Sequence, residues 1–301
     1  MEYNGVINVY KEKGYTSHDV VAIMKRTLKA KAGHTGTLDP EAEGVLPIVL
    51  GKSTRLADYI MAEDKVYEAE IHFGVTTDTC DMTGNVLTDN RPVSVTKERL
   101  LEAIEKFKGE IKQIPPMYSA IKINGEKLYN LARKGIEVER KQRLVTIHDI
   151  ELVEMQPEYA RILVSCSKGT YIRTLCEDIG SELGCGAAMG TLLRRASGAF
   201  ELDSAIKVDE IKALAIEGRV EDYVIAPEEF FKNYPKIYAK EEAYKLIRNG
   251  NKFGEDLVDA EDLEQGQKYK LYANNQFIGL YILDESGVFK PEIILLDLSR
   301  V

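Results

Sequence analysis

The chain has 301 residues, 44% of them hydrophobic and 30% charged, the proportions of an ordinary globular protein with room for about two domains. No window approaches the roughly 18–20 apolar residues of a membrane span, the first residues lack a secretion leader, and Cys80, Cys166, Cys176 and Cys185 show no C-x-x-C spacing; a reduced, cytoplasmic protein without disulfides or structural zinc is expected. The net charge of −9 argues against a nucleic-acid partner only until its distribution is seen.

Along the chain, Ser17 is the expected N-cap of a helix that spaces Val20, Ile23, Met24 and Leu28 on one face. Residues 33–51, GHTGTLDPEAEGVLPIVLG, form a glycine-rich loop running into a strongly apolar stretch. Residues 66–75 alternate, with Tyr67, Ala69, Ile71 and Phe73 on one side and Glu68, Glu70 and His72 on the other, as in a half-buried strand. A helix is predicted over 97–107, strands over 144–153 and 160–166, and a further helix from Tyr171 to a stop at Gly184. Residues 202–231 read as a connection. Beyond them comes a short helix over 240–249, ended by Gly250, and then short alternating strands with turns at Asn274-Asn275 and at 285–287. The order of elements has no strict βαβ rhythm. The expected fold is α+β, with a mixed or antiparallel sheet followed by a small barrel-like β module.

Charge divides along the same line. Residues 201–301 hold 21 acidic and 13 basic side chains, a balance of −8, and residues 1–200 hold 28 and 27. Two basic clusters stand out in the nearly neutral part. Lys25, Arg26, Lys29 and Lys31 lead into the glycine-rich loop. Lys122, Lys127, Arg133, Lys134, Arg140, Lys141 and Arg143 face only Glu126, Glu137 and Glu139. Either cluster can be a solvated surface or a polyanion contact.

Two short motifs invite a chemical reading. GKST at 51–54 resembles the end of a phosphate-binding loop, but that loop requires glycine where Leu46 stands. Asp39 precedes Pro40, and an Asp-Pro pair ordinarily opens a turn. His34 alone is more often structural than catalytic. The concentration of Gly33, His34, Thr35, Gly36, Thr37 and Asp39 in seven residues shifts both toward a ligand site, because glycines let the backbone approach a ligand closely.

These residues carry a resemblance. AGHTGTLDPEAEGVLPIVLGKSTR resembles the signature of the bacterial tRNA pseudouridine-55 synthases of the TruB type. VYEAEIHFGVTTDTCDMTG is similar to that family's second motif, IPPMYSAIKINGEKLYNLARKGIEV to its T-arm-gripping segment, and CSKGTYIRTLCEDIGSELGCGAAMGTLLRR to the motif bearing the basic partner of the catalytic acid. The last part resembles a PUA RNA-binding domain. The likeness spans nearly the whole chain. It implies a catalytic domain over 1–231, with a T-arm-binding segment at about 122–143, and a PUA-like domain over 232–301.

The implied reaction breaks the C1′–N1 bond of uridine, turns the base and joins C1′ to C5. It demands neither a metal nor an organic cofactor. One carboxylate acting at the sugar suffices, because no water has to be activated. The resemblance makes Asp39 that group, braced by Arg173, since a neighbouring guanidinium favours the charged form. Tyr67 would stack on the base, Tyr171 and Leu193 would wall the pocket, and His34 would prop the space the extruded nucleotide leaves. Asp81 would support the site and Lys11 would lie near it, although Glu12 stands where the family often has proline. Lys134, Lys141 and Arg143 would hold the T-arm backbone of the tRNA. Attack at C1′ and prior removal of a ribose proton both fit the sequence. The expected protein is a monomer, without an obligate protein partner. A non-catalytic RNA-folding chaperone on the same scaffold is the rival reading, and a glycosidase is disfavoured for want of a second carboxylate of matching role.

Overall fold

The computed structural model describes residues 3–123 and 125–296. The chain opens with strand β1 (Gly5–Lys11), helix α1 (Ser17–Leu28), the short β2 (Ala32–His34) and β3 (Glu43–Leu50). A 3-10 turn (Gly51–Leu56) leads into α2 (Ala57–Ala62) and β4 (Lys65–Phe73). A small hairpin of β5 (Val75–Thr77) and β6 (Val86–Asp89) precedes α3 (Lys97–Glu105) and β7 (Gly109–Gln113). The basic segment forms β8 (Lys122–Ile123), β9 (Glu126–Lys127) and α4 (Leu128–Arg133). Two long strands, β10 (Arg143–Met155) and β11 (Tyr159–Cys166), are followed by α5 (Ile172–Glu182) and β12 (Ala187–Ser197). β13 (Phe200–Glu201), β14 (Ile206–Lys207) and α6 (Val208–Glu217) close this part.

These strands build a ten-stranded mixed sheet in the order β14-β1-β3-β12-β4-β11-β10-β7, with β2 on β3 and β13 on β12. The alternation along each strand decides what covers it. Ile7, Val9, Leu46, Ile48 and Leu50 meet α1 and α6 on one side, while Val6, Val45 and Val49 face the opposite way into a second cluster. Ala69, Ile71 and Phe73 of β4 pack under α3 and α5. Each such fully buried aliphatic side chain stabilises the fold by roughly 1.5–3 kcal/mol.

The last part folds as β15 (Lys236–Ala239), α7 (Glu241–Arg248), β16 (Phe253–Gly254), β17 (Val258–Asp259), β18 (Lys268–Ala273), β19 (Gln276–Leu283) and β20 (Val288–Ile294). It is a six-stranded, barrel-like sheet around its own core. Asn274 and Asn275 both take positive φ, 48° and 57°, the geometry of a two-residue hairpin turn. Leu280, Ile293 and Leu295 reach into the cluster shared with Leu56, Ile60 and Phe231. Asn4 Nδ2 donates to Leu295 O at 2.8 Å. The α+β class with its barrel-like module therefore stands as expected. Asp297 and Leu298, which end the last predicted strand run, lie outside the described residues.

Several boundaries differ from the sequence reading. The cap of α1 is Thr16 rather than Ser17: Thr16 Oγ1 accepts from Asp19 N, and the Asp19 carboxylate accepts from Thr16 N, a reciprocal capping box. Ser17 Oγ is committed elsewhere, as shown below. The strand at 66–75 stops at Phe73, because Gly74 (φ 78°) turns the chain into the hairpin. Helix α3 ends at Glu105 rather than 107. Residues 202–231 are more than a connection, since β14 adds a parallel edge to β1 and Val208 and Ile211 of α6 are fully buried. A two-residue strand is too short to show an alternation.

One glycine controls how the central strands meet. Gly44 has φ 107°, and a Cβ there would lie 2.2 Å from Arg194 O of the parallel neighbour β12. Gly44→Ala is expected to lower the unfolding free energy by about 2–4 kcal/mol, read as a reduced urea midpoint. A midpoint equal to that of the unmodified protein would show that β3 and β12 separate there without cost.

Candidate active site

The loop over residues 35–42 joins β2 to β3, and three polar side chains from elsewhere pin its backbone. Ser17 Oγ accepts from Leu38 N at 2.9 Å and donates to Leu38 O at 3.1 Å. Lys11 Nζ donates to Ala42 O at 2.6 Å, Pro40 O at 3.2 Å and Glu12 O at 3.3 Å. Arg194 Nε donates to Val45 O at 2.6 Å and Nη2 to Gly36 O at 3.2 Å. Thr35 N and Oγ1 both donate to Pro47 O, and Leu38 is buried. A loop whose carbonyls are held by buried cations has few ways to move.

The Asp39 carboxylate is left out of this scaffolding. Its side chain is 43% exposed and forms an ion pair with Arg173 Nη2 at 3.1 Å. Among the described residues no backbone N–H donates to it, so it does not close an Asp-Pro turn with its own side chain. Arg173 is the second residue of α5, and its side chain is only 7% exposed. The same guanidinium donates from Nη2 to Tyr118 O at 2.8 Å and from Nη1 to Thr79 O at 3.3 Å, with Asp81 Oδ2 3.7 Å from Nη1. Asp81 is fixed in turn: its Oδ1 accepts from Thr79 Oγ1, Thr83 N and Thr83 Oγ1 at 2.8, 3.0 and 2.6 Å. The turn that carries it docks on β12 through Met189. Arg173 thus bridges two carboxylates and two carbonyls.

Two tyrosines flank the pair. Tyr67 sits on β4 opposite Arg194 of β12 and Val164 of β11. Burial pushes its hydroxyl above the ordinary 10; the Arg194 guanidinium pulls the other way, and the nearby Asp39 charge adds to the rise. Tyr171 caps α5 in extended geometry, its N–H donating to Gln113 Oε1 at 3.0 Å and its carbonyl accepting from Gln113 Nε2 at 3.3 Å. Burial raises its hydroxyl too, with Arg143, Arg173 and Asp39 all near enough to act on it. Leu193 is half-buried on β12, paired with Glu43, and belongs to none of the apolar clusters.

His34 ends β2, where its Nδ1 accepts from Gly36 N at 3.3 Å and its ring meets His18 edge-on at 5.2 Å. Burial, reinforced by the neighbouring His18 ring and the Arg194 guanidinium, lowers its pKa from 6.5 to about 4. The ring is neutral at physiological pH.

Not every expected site residue stands as the sequence suggested. Lys11 is fully buried and its ammonium is spent on three carbonyls, so it braces the Asp39 loop instead of meeting RNA. Its pKa falls to about 8 because of burial. Lys134 is paired with Glu126 at 2.6 Å instead of standing free. Lys141 and Arg143 are exposed at the end of the basic segment, and Tyr129 lies between Lys127 and Arg133, 5.3 and 5.6 Å from its ring centre. Arg194 is the residue the sequence reading missed. It is 1% exposed and, among the described residues, the bulkiest fully buried side chain. The signal was the consecutive Arg194-Arg195 on a strand that runs through the middle of a sheet, where alternation sends one of the two inward. Among the described residues no three His, Cys, Asp or Glu side chains are grouped to hold a metal ion.

Comparison with known proteins adds a second line. The sequence model of the TruB family pseudouridylate synthase N-terminal domain matches residues 25–172, and that of the tRNA pseudouridylate synthase B C-terminal domain matches 173–230. The tRNA pseudouridine synthase B of Clostridium perfringens (strain SM101 / Type A) is 45% identical over 297 residues, 98% of this chain and 99% of that protein. That of Clostridium tetani is 46% identical over 282 residues, 92% of this chain and 94% of the relative. In structure, the chain is similar to one in a Cbf5-Nop10-Gar1 complex, with a TM-score of 0.71, 26% identity, and coverage of 98% of this chain and 86% of the other. An archaeal box H/ACA sRNP Nop10-Cbf5 complex gives 0.67 at 25% identity, covering 97% and 86%.

The depressed His34 pKa sets a pH dependence. The unfolded chain takes up a proton at His34 below about 6.5 and the folded chain only near about 4, so stability is complete above 6.5 and falls as pH drops through that window. His34→Gln is expected to lose less stability than the unmodified protein between pH 6.5 and 4, measured by urea unfolding. Taking the difference of the two isolates His34 from Asp178, whose burial-raised pKa of about 6 acts in the opposite sense. Parallel acid limbs would show that His34 titrates normally.

Proposed function

The chain belongs to the TruB family of pseudouridylate synthases, and on that premise we propose that it isomerises uridine 55 in the T-loop of tRNA to pseudouridine, acting as a cytoplasmic monomer. The observation that carries this reading is the Arg173–Asp39 pair: a carboxylate held in a rigid loop, bound by no amide, and open to an incoming ribose. The relatives named tRNA pseudouridine synthase B support the substrate class.

The target base is stacked inside a folded loop, so the enzyme extrudes it at a cost of a few kcal/mol. Asp39 meets the sugar of the extruded nucleotide and stabilises the cation that develops as C1′–N1 breaks, or bonds to C1′ directly. The base turns, C5 bonds to C1′, and the proton from C5 is lost while N1 gains one. The product is an isomer of the substrate. Arg173 holds Asp39 to one geometry through this sequence, and Asp81 holds Arg173. Tyr67 lies against the plane of the base, with Tyr171 and Leu193 completing the walls. His34, neutral and edge-on to His18, keeps open the gap left in the loop. Lys141 and Arg143 carry the phosphate contacts of the clamp over 122–143, with Lys134 reached only by displacing Glu126. Residues 1–231 form the catalytic domain in this reading, and residues 232–301 a PUA-like RNA-binding domain.

Asp39→Asn is expected to abolish pseudouridine formation while tRNA binding stays within about tenfold, since the amide keeps the shape and loses the charge that acts at the sugar. Tritium release from C5-labelled tRNA checks the first and filter binding the second. Turnover by the variant would remove Asp39 from the reaction. The double variant Lys141→Gln with Arg143→Gln is expected to flatten the log–log salt dependence of tRNA binding by about two, one for each lost phosphate contact. An unchanged slope would take the clamp out of the binding surface.

A further inference from the structure

At the far end of α1 from the Asp39 loop, a cleft of about 330 Å³ is lined by Lys29, Lys31, Gly51, Lys52, Thr54 and Arg55. No Asp or Glu lines it. Among the described residues none of its four cations has a carboxylate within 4.0 Å, although the chain as a whole carries −9. The cleft is built by its backbone. Gly51 N donates to Lys31 O at 2.8 Å, which brings the two basic stretches side by side, and Asn4 Oδ1 accepts from both Ser53 N and Ser53 Oγ. Lys29 is the C-cap of α1 in left-handed geometry, φ 50° and ψ 36°. That position ordinarily takes glycine or asparagine. A lysine held there accepts a backbone cost to place its ammonium at the rim.

The neighbouring surface does not cancel this charge. Arg55 Nη1 donates to Ile294 O at 2.8 Å, so the cleft runs up to the C-terminal module. Glu292 of that module, which lines a neighbouring hollow with Arg55, is engaged by Tyr59 Oη at 2.9 Å and Lys268 Nζ at 2.6 Å.

We infer that this cleft is a second RNA-backbone site, taking phosphodiesters of the tRNA outside the T-arm hairpin whose loop enters the Asp39 pocket. The inference rests on the tRNA reading above. Distance carries the assignment to a separate part of the substrate. Ser17 at the start of α1 touches Leu38, next to Asp39, and Lys29 closes the other end of twelve helical residues, about 18 Å away at 1.5 Å per residue. Among the described residues Lys29, Lys31 and Lys52 stack on no aromatic ring and present themselves as point charges, as suits backbone phosphates rather than bases.

The test is the triple variant Lys29→Gln, Lys31→Gln and Lys52→Gln, which spares Arg55 and its bond to the C-terminal strand. Binding of full-length tRNA should weaken about tenfold at 0.15 M salt, with the log–log salt slope reduced by two to three. Binding of an isolated T-arm hairpin should stay within twofold of the unmodified protein. Equal losses on both RNAs would place the cleft inside the hairpin's footprint, and no loss on either would leave it unoccupied; each result overturns the inference. Pseudouridine formation by the unmodified protein on the hairpin alone reports on the proposed function separately, so the two readings fail by different measurements. Circular dichroism of the triple variant checks that the three side chains are removed without unfolding.

Discussion

The site depends on one guanidinium that has been taken out of water. Arg173 has lost nearly all of its solvent, and a buried cation is tolerated only when its donors are matched. Its partners are Asp39, Asp81, Thr79 O and Tyr118 O, drawn from three separate stretches of chain. Helix α5 sets where the guanidinium lies. The β5–β6 hairpin region supplies Thr79 and Asp81, the segment before the clamp supplies Tyr118, and the β2–β3 loop supplies Asp39. The helix, the turn and the loop are therefore registered on one another through a single side chain. Removing it would leave the Asp39 and Asp81 carboxylates without their shared counter-charge.

Lys11 and Arg194 do a related task one layer deeper. Both are buried, and both direct their donors at carbonyls of the loop or of the strand that follows it. Charge-assisted bonds of this kind are about twice as strong as neutral ones, and they act on the backbone of the loop while leaving its carboxylate untouched. The division is physically sensible. A group that must meet a substrate gains nothing from bonds to its own loop, yet it needs that loop to be stiff. Burial lowers the Lys11 pKa to about 8, so this brace weakens in alkaline solution, whereas a guanidinium such as that of Arg194 keeps its charge there.

Much of this was legible in the sequence, and the remainder failed for identifiable reasons. The alternation of β4 announced a strand with one polar face, because Glu68, Glu70 and His72 could not share the apolar side. The αL pair Asn274-Asn275 and the Gly250 stop marked turns by their chemistry. The density of glycine and threonine around Asp39 marked a loop with a task. Thr16 and Ser17 compete for the same cap by the same rule, and only the tertiary bond of Ser17 to Leu38 decides between them. Lys11 looked like a surface cation because sequence carries no account of the carbonyls that would meet it. β14 escaped since two residues have no period. Family resemblance supplied the role of Arg173, which no local pattern in TYIRTL could have assigned.

The overall acidity, finally, says little about the partner. Some acids of the last hundred residues are matched by neighbours: Glu228 by Lys236 and Tyr272, Glu292 by Lys268 and Tyr59, Asp284 by Lys290. Exposed charges further than about 8 Å apart are screened at physiological salt, so the −8 of that region does not reach across the ten-stranded sheet. What a polyanion meets is the set of cations left without partners near the surface it approaches. Among the described residues those include Lys141 and Arg143 at the end of the basic segment and Lys29, Lys31 and Lys52 at the other end of α1. Pairing, and not the sum, shapes the field that an RNA would feel, and a rigid sheet keeps those two positive regions at a fixed separation.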